Sequence, residues 1–244
     1  MSARPGFSLD ALEARWGRAG AVHFEERYGG PVAILTAHGA RAVVALQGGQ
    51  VLSYVPAGGL EVLWLSPQAR LGTGKAVRGG IPICWPWFGL SPTQPDYPAH
   101  GLVRARDWLV AGSAAAEGQS RLVLNAEPTS ADAGGWPRRA LLQLEITLTD
   151  TLMLALSTEN RGEEPFLLTE ALHTYLAVGD IAAVRVEGLE RRPFIDQLTK
   201  RWVGGEDAPV TIAGEVDRIY QETPDAVRVV DTTHARCLAV AKRG

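Results

Sequence analysis

"ALLQLEITLTDTLMLALSTEN", residues 140–160, reads as an antiparallel hairpin. Leu142, Leu144, Ile146 and Leu148 recur at every second position, and so do Leu152, Leu154 and Leu156. A period of two puts alternate side chains on one face of a pleated strand, so each run has one apolar face to bury. Asp150 and Thr151 fall between the runs, where a tight turn is needed.

Outward from this hairpin the signal remains strand. Upstream lie "SRLVLNAEP" (120–128) and "EVLWLS" (61–66). "VAILTAHGARAVVALQGGQVLSYVP" (32–56) gives three β-rich runs broken at Gly39 and at Gly48-Gly49. Downstream lie "FLLTEALHTYLAV" (166–178), "VRVEGL" (184–189), "APVTIAG" (208–214), "AVRVVD" (226–231) and "CLAVAK" (237–242). Helical patterns are scarce. "SLDALEARWG" (8–17) predicts one short helix, capped by Ser8 and stopped by Gly17. Many short strands with turn signals between them predict an all-β, antiparallel sandwich, here expected as one domain over residues 1–244.

Residues 67–107 break the pattern. They are rich in Pro, Gly and aromatic residues and show no period. Their aromatic content argues against disorder, and a long irregular stretch within a compact domain is then expected to line a site. At its centre stands "RGGIPICWPWFG" (78–89), a stiff aromatic loop with Arg78 at its mouth.

The composition excludes several classes of function. The net charge is -3, so no global basic field favours nucleic acid or a membrane surface. Cys84 and Cys237 are the two cysteines of 244 residues; they suggest no disulfide framework, and a reducing cytoplasm is the expected location. No apolar run is long enough to span a bilayer, and the N-terminus shows no signal-peptide pattern. The five histidines make no HExxH or His/Cys cluster, so no metal is expected, and neither a GxSxG elbow nor a phosphate-cradling glycine loop occurs. His23, His38 and His234 lie in polar or turn settings and read as structural or surface residues. His100, in "PAHGLVRARDW", and His173, in the apolar run "TEALHTYLAVGD", are the candidates for chemistry, because a half-buried imidazole suits acid–base work near neutral pH.

Four segments occur in order: "RGGIPICWPWFG"; "HGLVRARDW"; "EALHTYLAVGDI" with "VEGLERRPFIDQL" after it; and "DRIYQETPD". Together they resemble the hexose-6-phosphate mutarotases, a branch of the aldose 1-epimerase (galactose mutarotase-like) superfamily, from about residue 20 onward. The resemblance implies a β-supersandwich and cofactor-free interconversion of the α and β anomers of a phosphorylated aldohexose. It implies that His173 is the general acid, that His100 is the second histidine of the site, and that Asp217 binds sugar hydroxyls. Arg78 and Arg104 match the arginines that hold the 6-phosphate, a task for which a planar guanidinium fork is suited. Trp85, with Trp87 and Phe88, is expected either to pack the loop or to give the sugar ring an apolar floor. Arg106, Arg191 and Arg192 read as surface charge. The expected partner is a small phosphosugar, the expected state a monomer.

The sequence departs from the family pattern in two places. The superfamily's general base is a glutamate on a strand beyond a segment rich in Trp, Asn and Pro; no such segment precedes Gly244, and after Asp217 the remaining glutamate is Glu222 of "DRIYQETPD". The expectation is therefore a domain without the family's C-terminal strands, whose exposed sheet edges either lower its stability or are covered by association. A phosphosugar-binding protein without catalysis is the alternative reading. Ala99 also stands where a polar residue often precedes the histidine.

Overall fold

A computed structural model describes residues 8–128, 136–223 and 226–243. The chain divides after Leu176 into two compact units.

The first unit opens with the expected helix, α1 (Leu9–Trp16), whose Ser8 hydroxyl accepts from the Ala11 N–H at 3.3 Å. An antiparallel meander follows, formed by β1 (Val22–Arg27), β2 (Gly30–Ala37), β3 (Ala40–Ala45) and β4 (Gln50–Val55). The long irregular segment comes next, holding only the two-residue strand β5 (Ile83–Cys84). A second meander comprises β6 (Leu109–Ala116), β7 (Gln119–Ala126), β8 (Ala140–Leu148) and β9 (Leu152–Asn160). The expected hairpin is present, with Leu148 opposite Leu152 and Leu142 opposite Thr158. The two-residue strand β10 (Ala171–Leu172) pairs antiparallel with β5.

The two meanders share one core. Phe24, Ala33, Leu35 and Val44 of the first pack with Leu122, Leu124, Leu142, Leu144, Ile146 and Leu148 of the second. At about 25 cal/mol per Å2 of apolar surface, such contiguous burial is the main favourable contribution to the fold. The first sheet is also covered on its outer face: Val32, Ile34, Val43, Ala45 and Leu52 pack with Ala69, Leu71 and Val77 of the irregular segment. A strand buried on both faces has no polar side to show, which is why "VAIL" and "AVVAL" run on without alternation. The all-β sandwich expectation therefore holds. "EVLWLS" differs from its strand reading: it makes only isolated bridges, Leu63 to Leu176 and Leu65 to Gly79.

The second unit begins with a single 3-10 turn, Ile181–Ala183. One sheet has the order β14 (Val210–Thr211), β11 (Val184–Glu187), β16 (Ala226–Asp231) and β17 (Arg236–Ala241). A smaller sheet has the order β13 (Arg201–Val203), β12 (Phe194–Asp196) and β15 (Arg218–Tyr220). Asp231 is fully buried at the β16–β17 turn, where its carboxylate meets His234 Nδ1 at 2.8 Å and Arg236 Nε at 3.3 Å. No described helix is long and apolar enough to cross a membrane.

Candidate functional site

The aromatic loop and the His173 segment are zipped together. The Thr169 N–H donates to the Pro86 carbonyl at 3.0 Å, the His173 N–H to the Pro82 carbonyl at 2.9 Å, and the Tyr175 N–H to the Gly80 carbonyl at 2.8 Å. Proline lacks a donor but keeps its acceptor, so Pro82 and Pro86 stiffen the loop and still take part in the pairing. The Phe88 N–H donates to Thr169 Oγ1 at 3.2 Å. Thr169, His173 and Tyr175 are separated by even numbers of residues, so an extended chain turns all three toward one side. Gly80 permits this fit: at φ 64° it is left-handed, and a Cβ there would stand 2.2 Å from the Val51 carbonyl oxygen.

The loop also fixes His100. The His100 N–H donates to the Gly89 carbonyl at 2.6 Å, and the Gly89 N–H donates to His100 Nδ1 at 3.2 Å. A ring nitrogen that accepts carries no proton, so the hydrogen-bond pattern assigns the proton of the neutral ring to Nε2. His100 thereby presents an N–H donor. Trp87 Nε1 donates to the Pro98 carbonyl at 3.0 Å and the Trp87 ring stacks on Tyr97, which holds the chain just before His100.

The two imidazoles meet. Their centroids lie 5.9 Å apart with planes at 29°, and Phe88 stands edge-on to both, 4.9 Å from His100 and 5.5 Å from His173. Tyr175 adjoins His173 on another side, at 4.9 Å. Burial first, and then the Arg104 charge, push His173 below the ordinary histidine value. His100 is lowered by burial, by Arg104 and by His173. Both shifts favour the neutral ring over the imidazolium in the free protein. The Arg104 guanidinium is anchored to the Ala99 carbonyl at 2.9 Å.

His100, His173 and Arg104 thus come together. Arg78 is exposed, with its guanidinium 5.9 Å over the Trp64 ring. Trp85 is corrected: it has no exposed surface, meets Trp136 and Phe166 edge-on, and donates from Nε1 to Thr158 Oγ1 at 3.1 Å, so its ring packs the loop and offers nothing to a sugar. Phe88 is the exposed ring of this loop, at 43%. Asp217 belongs to the second unit, where it is exposed and accepts the Gln197 N–H on its carbonyl at 2.8 Å. Trp64 and Tyr175 escaped the motif reading; the even spacing of Tyr175 from His173 was the available signal. Among the described residues no three His, Cys, Asp or Glu side chains cluster as metal ligands.

Residues 32–244 match the family model for aldose 1-epimerase. The chain belongs to the aldose 1-epimerase family. Within that family it is 38% identical over 202 residues to a Salmonella typhimurium protein provisionally named a glucose-6-phosphate 1-epimerase, an alignment covering 82% of this chain. An Escherichia coli K12 protein of the same provisional name is 38% identical over 203 residues. The chain spans 66% of the length of these two relatives. A solved structure from Salmonella typhimurium, provisionally named a mutarotase, superposes with a TM-score of 0.83 at 31% identity over 91% of this chain and 73% of its own.

Proposed function

We propose that this aldose 1-epimerase family member interconverts the α and β anomers of a hexose 6-phosphate. The observation that carries the reading is the pair of half-buried imidazoles, His100 and His173, under the charge of Arg104. The provisional names of the two bacterial relatives support the phosphosugar class.

In this reading Arg104 and Arg78 bind the phosphate dianion, and His100 donates from Nε2 to a sugar oxygen. His173 donates a proton to the ring oxygen while a base takes the proton of the C1 hydroxyl. The C1–O5 bond breaks, giving the open aldehyde; rotation about C1–C2 and reclosure, with both proton transfers reversed, give the other anomer. A dianion near Arg104 offsets the charge that depresses His173, so substrate binding itself raises the proton affinity of the acid. Each positioned proton transfer is typically worth about 10²–10⁴-fold, and anchoring by phosphate keeps the open form bound while C1 turns.

A second reading, phosphosugar binding without turnover, is favoured by one observation: among the described residues no carboxylate contributes to the charges that shift either imidazole. Polarimetry of freshly dissolved α-glucose 6-phosphate separates the two. Catalysed decay that is lost in Arg104→Ala supports the epimerase; saturable binding without faster decay supports the second reading.

A further inference from the structure

Arg78 reaches the histidine pair through two aromatic rings. Trp64 leaves 38% of its surface exposed, yet its backbone is fixed on two sides. Its N–H donates to the Tyr175 carbonyl at 3.0 Å, and its carbonyl accepts the Gly80 N–H at 2.7 Å. The Ser66 N–H donates to the Arg78 carbonyl at 3.1 Å, tying the Arg78 backbone to the same segment. The Trp64 and Tyr175 rings stack with centroids 5.9 Å apart and planes at 30°, and Tyr175 lies 4.9 Å from His173. Among the described residues no carboxylate pairs with Arg78.

That combination has a chemical meaning. A carboxylate would hold the guanidinium but would occupy its donors and cancel its charge. An indole face attracts the cation through the ring quadrupole and leaves the N–H edge open. The open edge is what a bidentate phosphate contact requires.

We propose that Trp64 is a positioning residue for the substrate's phosphate. Its ring aims Arg78, and the stacked Trp64–Tyr175 pair sets the span between that cation and the His173 imidazole. The site thereby selects sugars phosphorylated on the carbon farthest from the anomeric centre over sugars without phosphate. This rests on the hexose-6-phosphate reading above.

The test compares the parent with Trp64→Leu and Trp64→Phe, measuring KM and kcat on glucose 6-phosphate and on glucose, with calorimetric Kd values for glucose 6-phosphate alongside. Loss of a cation–π contact predicts a KM and Kd for glucose 6-phosphate raised about three- to thirtyfold in Trp64→Leu, with kcat held. Activity on glucose should not change, Trp64→Phe should recover most of the affinity, and Trp64→Leu should add nothing in an Arg78→Ala background. A parental Kd in Trp64→Leu, an equal loss on glucose, or an undiminished loss in the Arg78→Ala background overturns the proposal. A parent that binds glucose 6-phosphate without turnover overturns the epimerase reading and leaves the Kd comparison to decide the role of Trp64. A parent that does not bind the phosphosugar overturns both.

Discussion

His100 and His173 face each other with ring centroids 5.9 Å apart, brought there by two different segments that both pair with the loop of residues 80–89. His173 is held by the Pro82 carbonyl and His100 by Gly89. One stiff loop therefore sets the separation of both imidazoles, which explains why it is built from proline, glycine and packed aromatic rings.

The charge of Arg104 should be legible in the titration of both rings. A nearby cation disfavours the imidazolium, so Arg104→Ala should raise the pKa of His100 and of His173. Burial is the larger cause in each case and survives the substitution, so both should remain below the ordinary value of 6.5. Imidazole proton shifts followed by NMR against pH check this; unchanged midpoints would show that the guanidinium does not act on the rings.

The same lowered values link the histidines to stability. A folded-state pKa below the unfolded one means that the unfolded chain binds protons more readily. The contribution is fully present above the unfolded value of 6.5 and is lost as pH falls through the lowered folded values. His173→Gln should therefore flatten the decline of the melting temperature between pH 7 and pH 5, roughly the window of histidine titration. Parallel parent and variant curves would contradict the assignment.

Trp85 and Phe88 stand three positions apart and should behave oppositely. Trp85 is fully buried, and Trp85→Ala should cost about 3–5 kcal/mol of stability by urea denaturation. Phe88 is 43% exposed and touches both imidazoles. Phe88→Ala should cost about 1 kcal/mol or less in stability while altering KM or kcat.

Gly101 gives a sharper stability test. It has φ 83°, and a Cβ there would stand 1.9 Å from the Trp85 carbonyl oxygen, which accepts the Leu102 N–H at 2.8 Å. Gly101→Ala must move backbone, not a flexible side chain. Its cost should exceed the ~1–3 kcal/mol of a strained left-handed residue. A variant that melts with the parent would show that the loop yields easily.

Much of this was legible in the chain. The period of two at Leu142–Leu148 and again at Leu152–Leu156, with a polar pair between, marks a hairpin, and that hairpin is present. Their motifs single out His100, His173 and Arg104 in the chain, and the fold brings these three side chains near one another. Which ring of "CWPWFG" faces solvent was not legible, because Trp136 and Phe166, far along the chain, decide it by closing over Trp85. "EVLWLS" has strand composition, but its bridging partners, Leu176 and Gly79, come from separate segments, so no ladder forms. The strands β12, β13 and β15 have three residues each, too few to show a period.

The most direct measurement is the α-to-β exchange rate of glucose 6-phosphate at equilibrium, by NMR exchange spectroscopy, with the parent and with His173→Ala at equal concentration. The account predicts exchange above the spontaneous rate with the parent, reduced about 10²–10⁴-fold in the variant. Exchange that is as fast with His173→Ala as with the parent would contradict it.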